Sequence, residues 1–328
     1  MSTAPARSVL AIDAGQTSIK VRHLAAGRAT DWAAPALRTD MPLQPQLAAV
    51  LADAGRRGCV VDAVGFGVSG LTDDGLDARA LLNAAEPLRA RSVSLAHDSI
   101  TSFLGALGDG RGAVVAAGTG VVTLAVGRTE VARVDGWGYL LGDAGSGYWI
   151  GRAAFDAVLR ANDGRGPATA LTEVVRAAFP VLEDAYIELQ ADEARVQRIA
   201  AFARPVAEAA ASGDAVAIAI SEAAADELAH SVVSGLQRVG EAGAGGDAVR
   251  REAVPGGEAS GDAAPPVRAI GGVLGSTVLA GAFVRAVHRR IPGADVRVGS
   301  ADPLDGAALL PIVADDSALR SRVVRIEA

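Results

Sequence analysis

The amino-acid sequence predicts an α/β protein made of two similar domains. Buried stretches at 8–13 and 113–117 are each followed by a short glycine turn and a second predicted strand, at 18–24 and 121–126. A glycine turn between two strands is typical of an antiparallel hairpin. The repeated strand–turn–strand unit indicates an internal duplication, and a length of 328 residues leaves room for two domains.

The first half continues with further strands and helices. Hydrophobic periodicity predicts a helix over 46–57, strands over 59–69 and 91–98, and a helix over 99–107. The glycine-rich segment 108–112 marks a boundary. We therefore expect the first domain to span residues 1–110.

The second half is predicted to be richer in helices. Its elements after the hairpin are helices over 150–161, 168–178, 192–212 and 214–238, a strand over 267–271, helices over 276–290 and 303–312, and a short strand over 320–326. Residues 240–266 are low in complexity and predict a surface insertion. The second domain is expected to span 111–300, followed by a C-terminal helix within 301–328.

Composition excludes several classes of function. Asp and Glu number 38 against 31 Lys and Arg, and the resulting net charge of −7 argues against a nucleic-acid partner. Cys59 is the single cysteine, which excludes an internal disulfide, a cysteine zinc site and an iron–sulfur cluster held within one chain. The four histidines form no HExxH or HxxxH pair, which disfavours a transition-metal enzyme. Because the sequence shows neither a membrane-spanning apolar run nor a leader-type segment, we expect a cytoplasmic protein without membrane contact.

Two glycine turns are candidates for binding phosphate. The first is Asp13-Ala14-Gly15-Gln16-Thr17, and the second is Gly118-Thr119-Gly120. Small residues let backbone N–H groups approach phosphate oxygens. Thr17 adds a hydroxyl, and Asp13 is suited to holding Mg²⁺ through water, since Mg²⁺ takes few carboxylates. Either turn alone is also an ordinary hairpin turn, but their matching places in the two halves favour a triphosphate site between the domains.

Asp98 stands where a predicted strand meets a predicted helix. It is either the N-cap of that helix or, at a domain cleft, a general base. In the second interpretation it accepts a proton from a sugar hydroxyl while that oxygen attacks phosphorus. The neighbouring His97 is expected to point the opposite way along the strand and to have a structural role.

Residues 135–151 form the most unusual segment of the chain. Six glycines occur there together with Trp137, Tyr139, Tyr148 and Trp149, although only 4% of the chain is aromatic. Rings beside a closely approaching backbone suit a sugar pocket, and Asp143 offers an acceptor for a hydroxyl. The alternative is a packed loop with core aromatics.

Gly271 and Gly272 join a predicted strand to a predicted helix. Such a backbone can lie flat under an adenine or ribose, or simply form a tight turn. Taken in order, the two phosphate candidates and this pair resemble the phosphate 1, phosphate 2 and adenosine motifs of the actin-like (sugar kinase/Hsp70/actin) ATPase fold. The segment 136–151 resembles N-acetylglucosamine kinases of the BadF/BadG/BcrA/BcrD ATPase family.

The resemblance covers most of the chain except 240–266. It implies two actin-like (ribonuclease H-like) domains with a cleft between them, ATP and Mg²⁺ as cofactors, and a C-terminal helix packed back on the N-terminal domain. The family's catalytic aspartate falls on Asp98 and its Mg²⁺-organising aspartate on Asp13. Its phosphate- and nucleotide-binding positions fall on Gly15, Gln16, Thr17, Gly118, Thr119, Gly120, Gly271 and Gly272, and its sugar-facing positions on Ser69, Asp98, Thr119, Trp137, Gly138 and Asp143.

Two positions depart from the family pattern. Ala144 stands where the family usually has Glu in Gly-Asp-Glu-Gly-Ser. Residues 33–40 offer no Asn where the family tends to carry one for the sugar. The expected sugar therefore stays open between N-acetylglucosamine, glucosamine and another amino sugar.

The resemblance implies an ATP-dependent kinase that phosphorylates an amino sugar, at the 6-hydroxyl, with Asp98 as general base. Homodimers are common in the family, which leaves a homodimer open here. One alternative is an activator ATPase of a radical dehydratase, which the single cysteine disfavours because that role needs an iron–sulfur cluster. The other is a non-catalytic sugar sensor, which the departure at Ala144 leaves open.

Overall fold

The computed structural model describes residues 8–15, 18–38, 40–71, 76–242 and 264–328. The chain divides into two compact units. Unit 1 comprises Met1–Gly110 together with Ala301–Ala328, and unit 2 comprises Arg111–Ser300. Among the described residues, no helix combines the length and the hydropathy needed to span a bilayer.

The helices and strands follow one another in a regular α/β pattern. Those up to residue 110 are β1 (Val9–Ala14), β2 (Ile19–Ala25), β3 (Arg28–Ala34), α1 (Leu43–Arg56), β4 (Ala63–Val68), α2 (Ala78–Ala84), β5 (Ser92–His97) and α3 (Asp98–Leu107). Unit 2 then contains β6 (Gly112–Ala117), β7 (Val121–Val126), β8 (Val131–Val134), α4 (Gly147–Asn162), α5 (Leu171–Ala178), α6 (Ala185–Ala191), α7 (Arg195–Ala200), α8 (Ala203–Ala211), α9 (Ala215–Arg238), β9 (Pro266–Ile270), α10 (Thr277–Arg290) and β10 (Asp295–Gly299). The C-terminal part of unit 1 adds α11 (Pro303–Leu309) and β11 (Val324–Glu327).

The two units contain sheets of matching topology. The strand order is β11-β5-β4-β1-β2-β3 in unit 1 and β10-β9-β6-β7-β8 in unit 2. In both, the hairpin strands pair antiparallel and the following two strands add in parallel on the other side. The two sheets share the same order of five strands, as expected for a duplication. Among the described strands, β11 is the extra one, at the edge of the unit 1 sheet.

Each unit has its own apolar core. In unit 1, buried residues of α1 such as Leu47 and Leu51 pack against the sheet with Phe66 of β4. In unit 2, the core is formed mainly by α4, α8, α9 and α10 against the sheet, with Phe155, Phe179 and Phe202 in mutual ring contact.

Helix α11 packs onto unit 1 through backbone contact. A Cβ placed on Gly306 would lie 1.8 Å from the carbonyl oxygen of Thr101 in α3. Arg22 of β2 reinforces this contact through ion pairs to Asp302 at 2.9 Å and to Asp305 at 2.6 Å. Residues 301–328 therefore belong to unit 1, and β11 joins a sheet whose other strands lie more than 200 residues earlier in the chain.

Several predicted boundaries were wrong for local reasons. The predicted helix over 192–212 is two helices, α7 and α8, because Pro205 lacks an N–H and is tolerated only in the first turn of a helix. Residues 59–62 do not join strand β4. The helix over 303–312 ends as α-helix at Leu309 and continues as a 3₁₀ turn around Pro311. The strand over 320–326 begins only at Val324, after a 3₁₀ turn.

Asp214 provides a test of the packing in unit 2. Its carboxylate caps α9 by accepting from the N–H of Ala217 at 2.9 Å, and it also accepts from the N–H of Ala170 at 2.8 Å and the hydroxyl of Thr169 at 3.0 Å. Burial alone would raise the pKa of Asp214, but these donors outweigh it and hold the pKa below its usual value.

We expect Asp214→Ala to lower the free energy of unfolding by about 1–2 kcal/mol at neutral pH, as the loss of an N-cap does. A carboxyl whose pKa is lowered by folding stabilises above its unfolded pKa, so the difference from wild type should shrink as the pH falls through the lowered pKa. Urea unfolding at pH 7 and at about pH 3 measures both effects. Asp156→Ala, at an exposed pair on α4, is the control and should change stability little.

Candidate functional site

Asp13 and Asp98 come together at the carboxyl ends of the unit 1 strands. Asp13 is in β1, opposite Lys20 in the hairpin register. Burial raises the pKa of Asp13 to about 6, with the charges of Asp98 and Asp302 adding to the effect and the charge of Lys20 opposing it. A nearby cation would stabilise the charged form of the Asp13 carboxylate and lower its pKa.

Asp98 is the first residue of helix α3, and His97 rather than Asp98 is the N-cap. The Nδ1 of His97 lies 3.2 Å from the backbone N of Ser99 and 2.9 Å from Oδ1 of Asp98. It accepts from the Ser99 N–H when it carries no proton and donates to Asp98 when it carries one. The expectation that His97 points away from Asp98 was wrong, because strand alternation ends at His97 and the helix begins at the next residue. Asp98 is thereby free of the capping role.

The surroundings of Asp98 favour its charged form. Burial alone would raise the pKa of Asp98, but hydrogen bonds from His97, from the Ser69 hydroxyl and from the N–H of Ser99, together with the charge of His97, hold the pKa below its usual value. Asp98 is therefore ionised near neutral pH, and Asp13 titrates much closer to it. Two carboxylates whose pKa values are pushed apart are a common arrangement in active sites.

Asp13 offers a single carboxylate of the kind that can bind a hydrated magnesium ion. No group of three or more His, Cys, Asp or Glu residues within the described ranges is arranged to hold a metal. Mg²⁺ keeps several waters and is bound through one or two carboxylates plus phosphates, so the single half-buried carboxylate of Asp13 meets its needs. Gly15 follows Asp13 and its carbonyl accepts from the N–H of Leu37 at 3.0 Å. The predicted phosphate ligands Gln16 and Thr17 lie outside the described residues.

The turn Gly118–Gly120 of unit 2 is held by the first turn of helix α4. The N–H of Gly147 donates to the carbonyl of Gly118 at 2.8 Å, and the N–H of Tyr148 donates to the carbonyl of Thr119 at 3.1 Å. The first N–H groups of a helix have no partner inside it, so the turn satisfies them. A Cβ on Gly147 would lie 2.9 Å from the carbonyl oxygen of Gly118, which requires glycine at this contact.

A buried carboxylate lies beside the same turn. Asp143 is 7% exposed, and a Cβ on Gly120 would approach its Oδ2 to 2.6 Å. Its Oδ1 accepts from the N–H of Gly138 at 3.1 Å. Asp135 accepts in turn from the N–H groups of Asp143 at 2.8 Å and Ala144 at 2.9 Å. Burial and then the charge of Asp135 raise the pKa of Asp143.

The aromatic residues of 135–151 have different environments. Trp137 is 65% exposed, with the guanidinium of Arg133 5.1 Å from its ring centre. Tyr139 and Tyr148 are in ring contact at 5.0 Å. Trp149 packs against the unit 2 core. The segment therefore combines a packed part with an exposed loop that carries Trp137 and Gly138, two of the predicted sugar-facing positions, and Asp143 connects the loop to the glycine turn.

A cavity of about 760 Å³ in unit 2 connects two of the predicted motifs. It is lined by Gly118 and Thr119 of the turn and by Gly272, Val273, Gly275, Ser276 and Thr277 at the strand-to-helix junction, with α8 forming another wall. A Cβ built on Gly118, Gly272 or Gly275 meets no atom within 4 Å, so the backbone is open to a ligand there. Gly271 does not line the cavity, and its φ of +107° together with its contact to Ala117 explains why glycine is required. The size, the open backbone and the apolar walls fit a nucleotide.

The sequence analysis missed several cavity and support residues. Gln197, Arg204 and Glu208 line the cavity, and Ser276 both lines it and caps α10. Asp135 supports the loop beneath Asp143. Only the Arg204–Glu208 spacing of four residues was visible in the sequence, and that spacing is equally typical of an exposed helix pair.

Known proteins resemble this chain in sequence and in structure. An N-acetyl-D-glucosamine kinase from Dictyostelium discoideum is 30% identical over 226 residues, which is 67% of this chain and 66% of that protein, slightly less than two thirds of its length. A structure assigned as an N-acetylglucosamine kinase from Chromobacterium violaceum has a TM-score of 0.63 at 22% identity, covering 93% of this chain and 98% of that one. The corresponding structure from Porphyromonas gingivalis has a TM-score of 0.67 at 18% identity, covering 92% and 98%.

These structures share a two-domain actin-like fold of mixed α/β type, and the present chain has that fold. The nucleotide-sized cavity and the glycine turns fit this class. The chain belongs to the BadF/BadG/BcrA/BcrD ATPase family, whose model matches residues 11–310.

Gly147→Ala tests the contact between α4 and the glycine turn. The added Cβ would press on the carbonyl of Gly118 and shift the turn, so we expect ADP affinity to fall roughly tenfold or more. Isothermal titration calorimetry measures the affinity, and circular dichroism checks that the protein is folded. Gly281→Ala, in α10 at a position that does not line the cavity, is the control. Equal ADP affinity in Gly147→Ala and wild type would contradict the role given to this contact.

Proposed function

We propose that the protein is an ATP-dependent kinase of an amino sugar, N-acetylglucosamine or glucosamine, acting on the 6-hydroxyl. The observation that carries the proposal is Asp98, an ionised and partly buried carboxylate that does not cap its helix. The family membership and the kinase name of the Dictyostelium relative support the choice of reaction. A cytoplasmic location, where ATP is available, and a homodimeric state belong to the same proposal.

In this proposal the cavity of unit 2 holds ATP. The proposed adenosine site is at Gly272, with Gly271 shaping the turn before it, and the proposed phosphate sites are Gly118–Gly120 together with Gly15, Gln16 and Thr17. Asp13 would hold Mg²⁺ through water, and the ion would neutralise charge on the phosphates. Backbone N–H groups and the metal carry the phosphate binding, so the acidic chain needs no basic patch.

Asp98 is the general base of the proposed reaction. Its carboxylate accepts the proton of the sugar hydroxyl as that oxygen forms a bond to the γ-phosphorus and the bond from the γ-phosphorus to the β,γ-bridging oxygen breaks. The products are the sugar phosphate and ADP. His97 and Ser69 orient the Asp98 carboxylate and keep it charged before the transfer.

The sugar is proposed to contact Ser69, Thr119, Trp137, Gly138 and Asp143. The exposed Trp137 ring offers a flat apolar surface of the kind on which sugars stack. Asp143 uses Oδ1 on Gly138 and is nearly buried, so its proposed contribution includes setting the position of the loop.

The activator-ATPase alternative finds no support. Cys59 is the only cysteine of the sequence, it is buried, and burial raises the pKa of its thiol. A thiol in that state is a poor metal ligand.

A coupled ADP-release assay over a panel of amino and neutral sugars tests the function. We expect turnover with N-acetylglucosamine or glucosamine, and phosphorus NMR of the product identifies the hydroxyl that is phosphorylated. Nucleotide binding without turnover on any sugar would favour the sensor alternative and contradict the kinase.

Asp98→Asn removes the proposed base with little change in shape. We expect kcat to fall by roughly 10²–10⁴-fold, as for loss of a general base, while ADP affinity stays close to wild type. Asp315→Asn is the matched control, because that carboxylate is 90% exposed, and it should keep full activity. Near-normal turnover of Asp98→Asn would rule out the assigned base.

His97→Asn tests the support of the base. Loss of the imidazole removes the largest of the contributions that lower the pKa of Asp98, so the acid side of the kcat/KM profile should move to higher pH. A drop in rate with an unchanged profile would show that His97 acts only in packing.

A further inference from the structure

The 135–144 loop of unit 2 has an unusual backbone. Four of its residues have φ in the left-handed region: Gly136 and Gly138, together with Asp135 at +58° and Asp143 at +60°. Glycine adopts this region without a steric penalty, whereas a residue with a Cβ adopts it at a cost. Such a backbone persists only where the surrounding contacts determine it. The loop therefore depends on contacts that hold Asp135 and Asp143 in place.

The carboxylate of Asp135 supplies those contacts. Its Oδ1 accepts from the N–H of Asp143 at 2.8 Å, and its Oδ2 accepts from the N–H of Ala144 at 2.9 Å. These two bonds connect the first residue of the loop with the last two. Asp143 in turn accepts on Oδ1 from the N–H of Gly138 at 3.1 Å. Two carboxylates thus join the beginning, the middle and the end of the loop.

Asp135 and Trp137 lie against the same glycine. The Cβ site of Gly142 lies 2.5 Å from Oδ1 of Asp135 and 2.9 Å from Cβ of Trp137. Trp137 is 65% exposed, and the guanidinium of Arg133 is 5.1 Å from its ring centre. A shift of the Asp135 carboxylate would release Gly142 and with it the Trp137 side chain. The position of the exposed ring therefore depends on Asp135.

We propose that Asp135 is a positioning residue for the sugar, which holds Trp137, Gly138 and Asp143 in their binding arrangement before the sugar enters. The inference rests on the proposed function, since it assumes that the sugar contacts those three residues. Both oxygens of Asp135 bind N–H groups of the loop, so Asp135 acts through the loop and not by contact with the sugar. A loop that is already ordered spares the sugar the cost of ordering it. Loss of Asp135 should therefore weaken sugar binding more than it slows phosphoryl transfer.

Two substitutions separate the acceptors from the backbone conformation. Asp135→Gly keeps the left-handed conformation available and removes both acceptor oxygens. We expect its KM for N-acetylglucosamine or glucosamine to rise roughly tenfold or more, the effect of losing hydrogen bonds to a charged group. The kcat and the ADP affinity should change by less than about threefold. Asp135→Asn tolerates the same conformation and keeps one acceptor oxygen, so its KM should lie between those of wild type and Asp135→Gly.

Hydrogen exchange measures the state of the loop without reference to turnover. Asp135 protects the amides of Asp143 and Ala144, so mass spectrometry of the full-length chain should show faster exchange over 140–146 in Asp135→Gly. Asp135→Asn should again be intermediate. Exchange over α10 should stay as in wild type, which verifies that unit 2 is folded.

Asp77→Gly is the matched control. Asp77 also accepts from two backbone N–H groups, those of Arg79 at 2.9 Å and Ala80 at 3.1 Å, but at the start of α2 in unit 1. The substitution removes the same kind of hydrogen bond, so any loss of stability should be similar. It should leave the sugar KM and the exchange over 140–146 unchanged.

The outcomes distinguish this inference from the proposed function. An unchanged sugar KM in Asp135→Gly overturns the role of Asp135 and leaves the kinase proposal standing. Unchanged exchange over 140–146 has the same consequence, because the carboxylate then does not hold the loop. A fall in kcat at unchanged KM also overturns the inference, since the effect would then be on the transfer step. If wild type neither binds nor phosphorylates any sugar of the panel, both proposals fail.

Discussion

The backbone contact between helix α4 and the turn Gly118–Gly120 organises unit 2. The helix needs acceptors for its first N–H groups, and the turn needs support for carbonyls that would otherwise face a cavity. Gly147 and Tyr148 meet both needs with two hydrogen bonds. Ser146, the N-cap of the same helix, is three residues after Asp143, whose carboxylate lies beside Gly120. A displacement of α4 would therefore also move the turn Gly118–Gly120, Asp143 and the exposed loop around Trp137.

Close backbone packing explains the glycines of this region better than ligand contact does. Gly151 lets α4 approach the carbonyl of Ile199 in α7, and Gly145 lets the loop approach Ala224 of α9. The glycine pattern thus determines how near the helices come to the cavity wall. Gly118, Gly272 and Gly275 differ, because open space lies above them. One set of glycines therefore allows close packing within the unit, and the other leaves the backbone accessible at the cavity.

The sequence supported prediction of the hairpins and most helices because their signals are local. Alternation and buried runs identified β1, β2, β6 and β7 without tertiary information. Strand β3 has an almost entirely exposed pattern and β8 is only four residues long, so neither carries a strong apolar signal. The division of 192–212 into two helices depends on Pro205, whose effect on the helix was not considered in a prediction made from hydrophobic periodicity alone.

The site was less predictable because its geometry depends on exact element boundaries and on tertiary contacts, which leave no local signal in the sequence. That His97 caps α3 and contacts Asp98 depends on where the strand stops, and boundaries shift by a residue or two without changing the pattern. Asp135, Arg204 and Glu208 acquire meaning only once the fold places them beside a turn or a cavity. Gly118 and Gly272 were each predicted from a separate motif. That both line one cavity is seen only in the folded structure.

The return of residues 301–328 to unit 1 also has a consequence during synthesis. Unit 2 is continuous in the chain and can complete its sheet as soon as residue 300 has left the ribosome, whereas unit 1 still lacks α11 and β11. Until then β5 has an open edge, since β11 is its partner there, and open edges favour unwanted strand pairing. During synthesis, unit 2 can therefore complete its fold before unit 1 does. A chain that stops before Val324 would contain every strand of the unit 2 sheet but would leave the β5 edge of the unit 1 sheet unpaired.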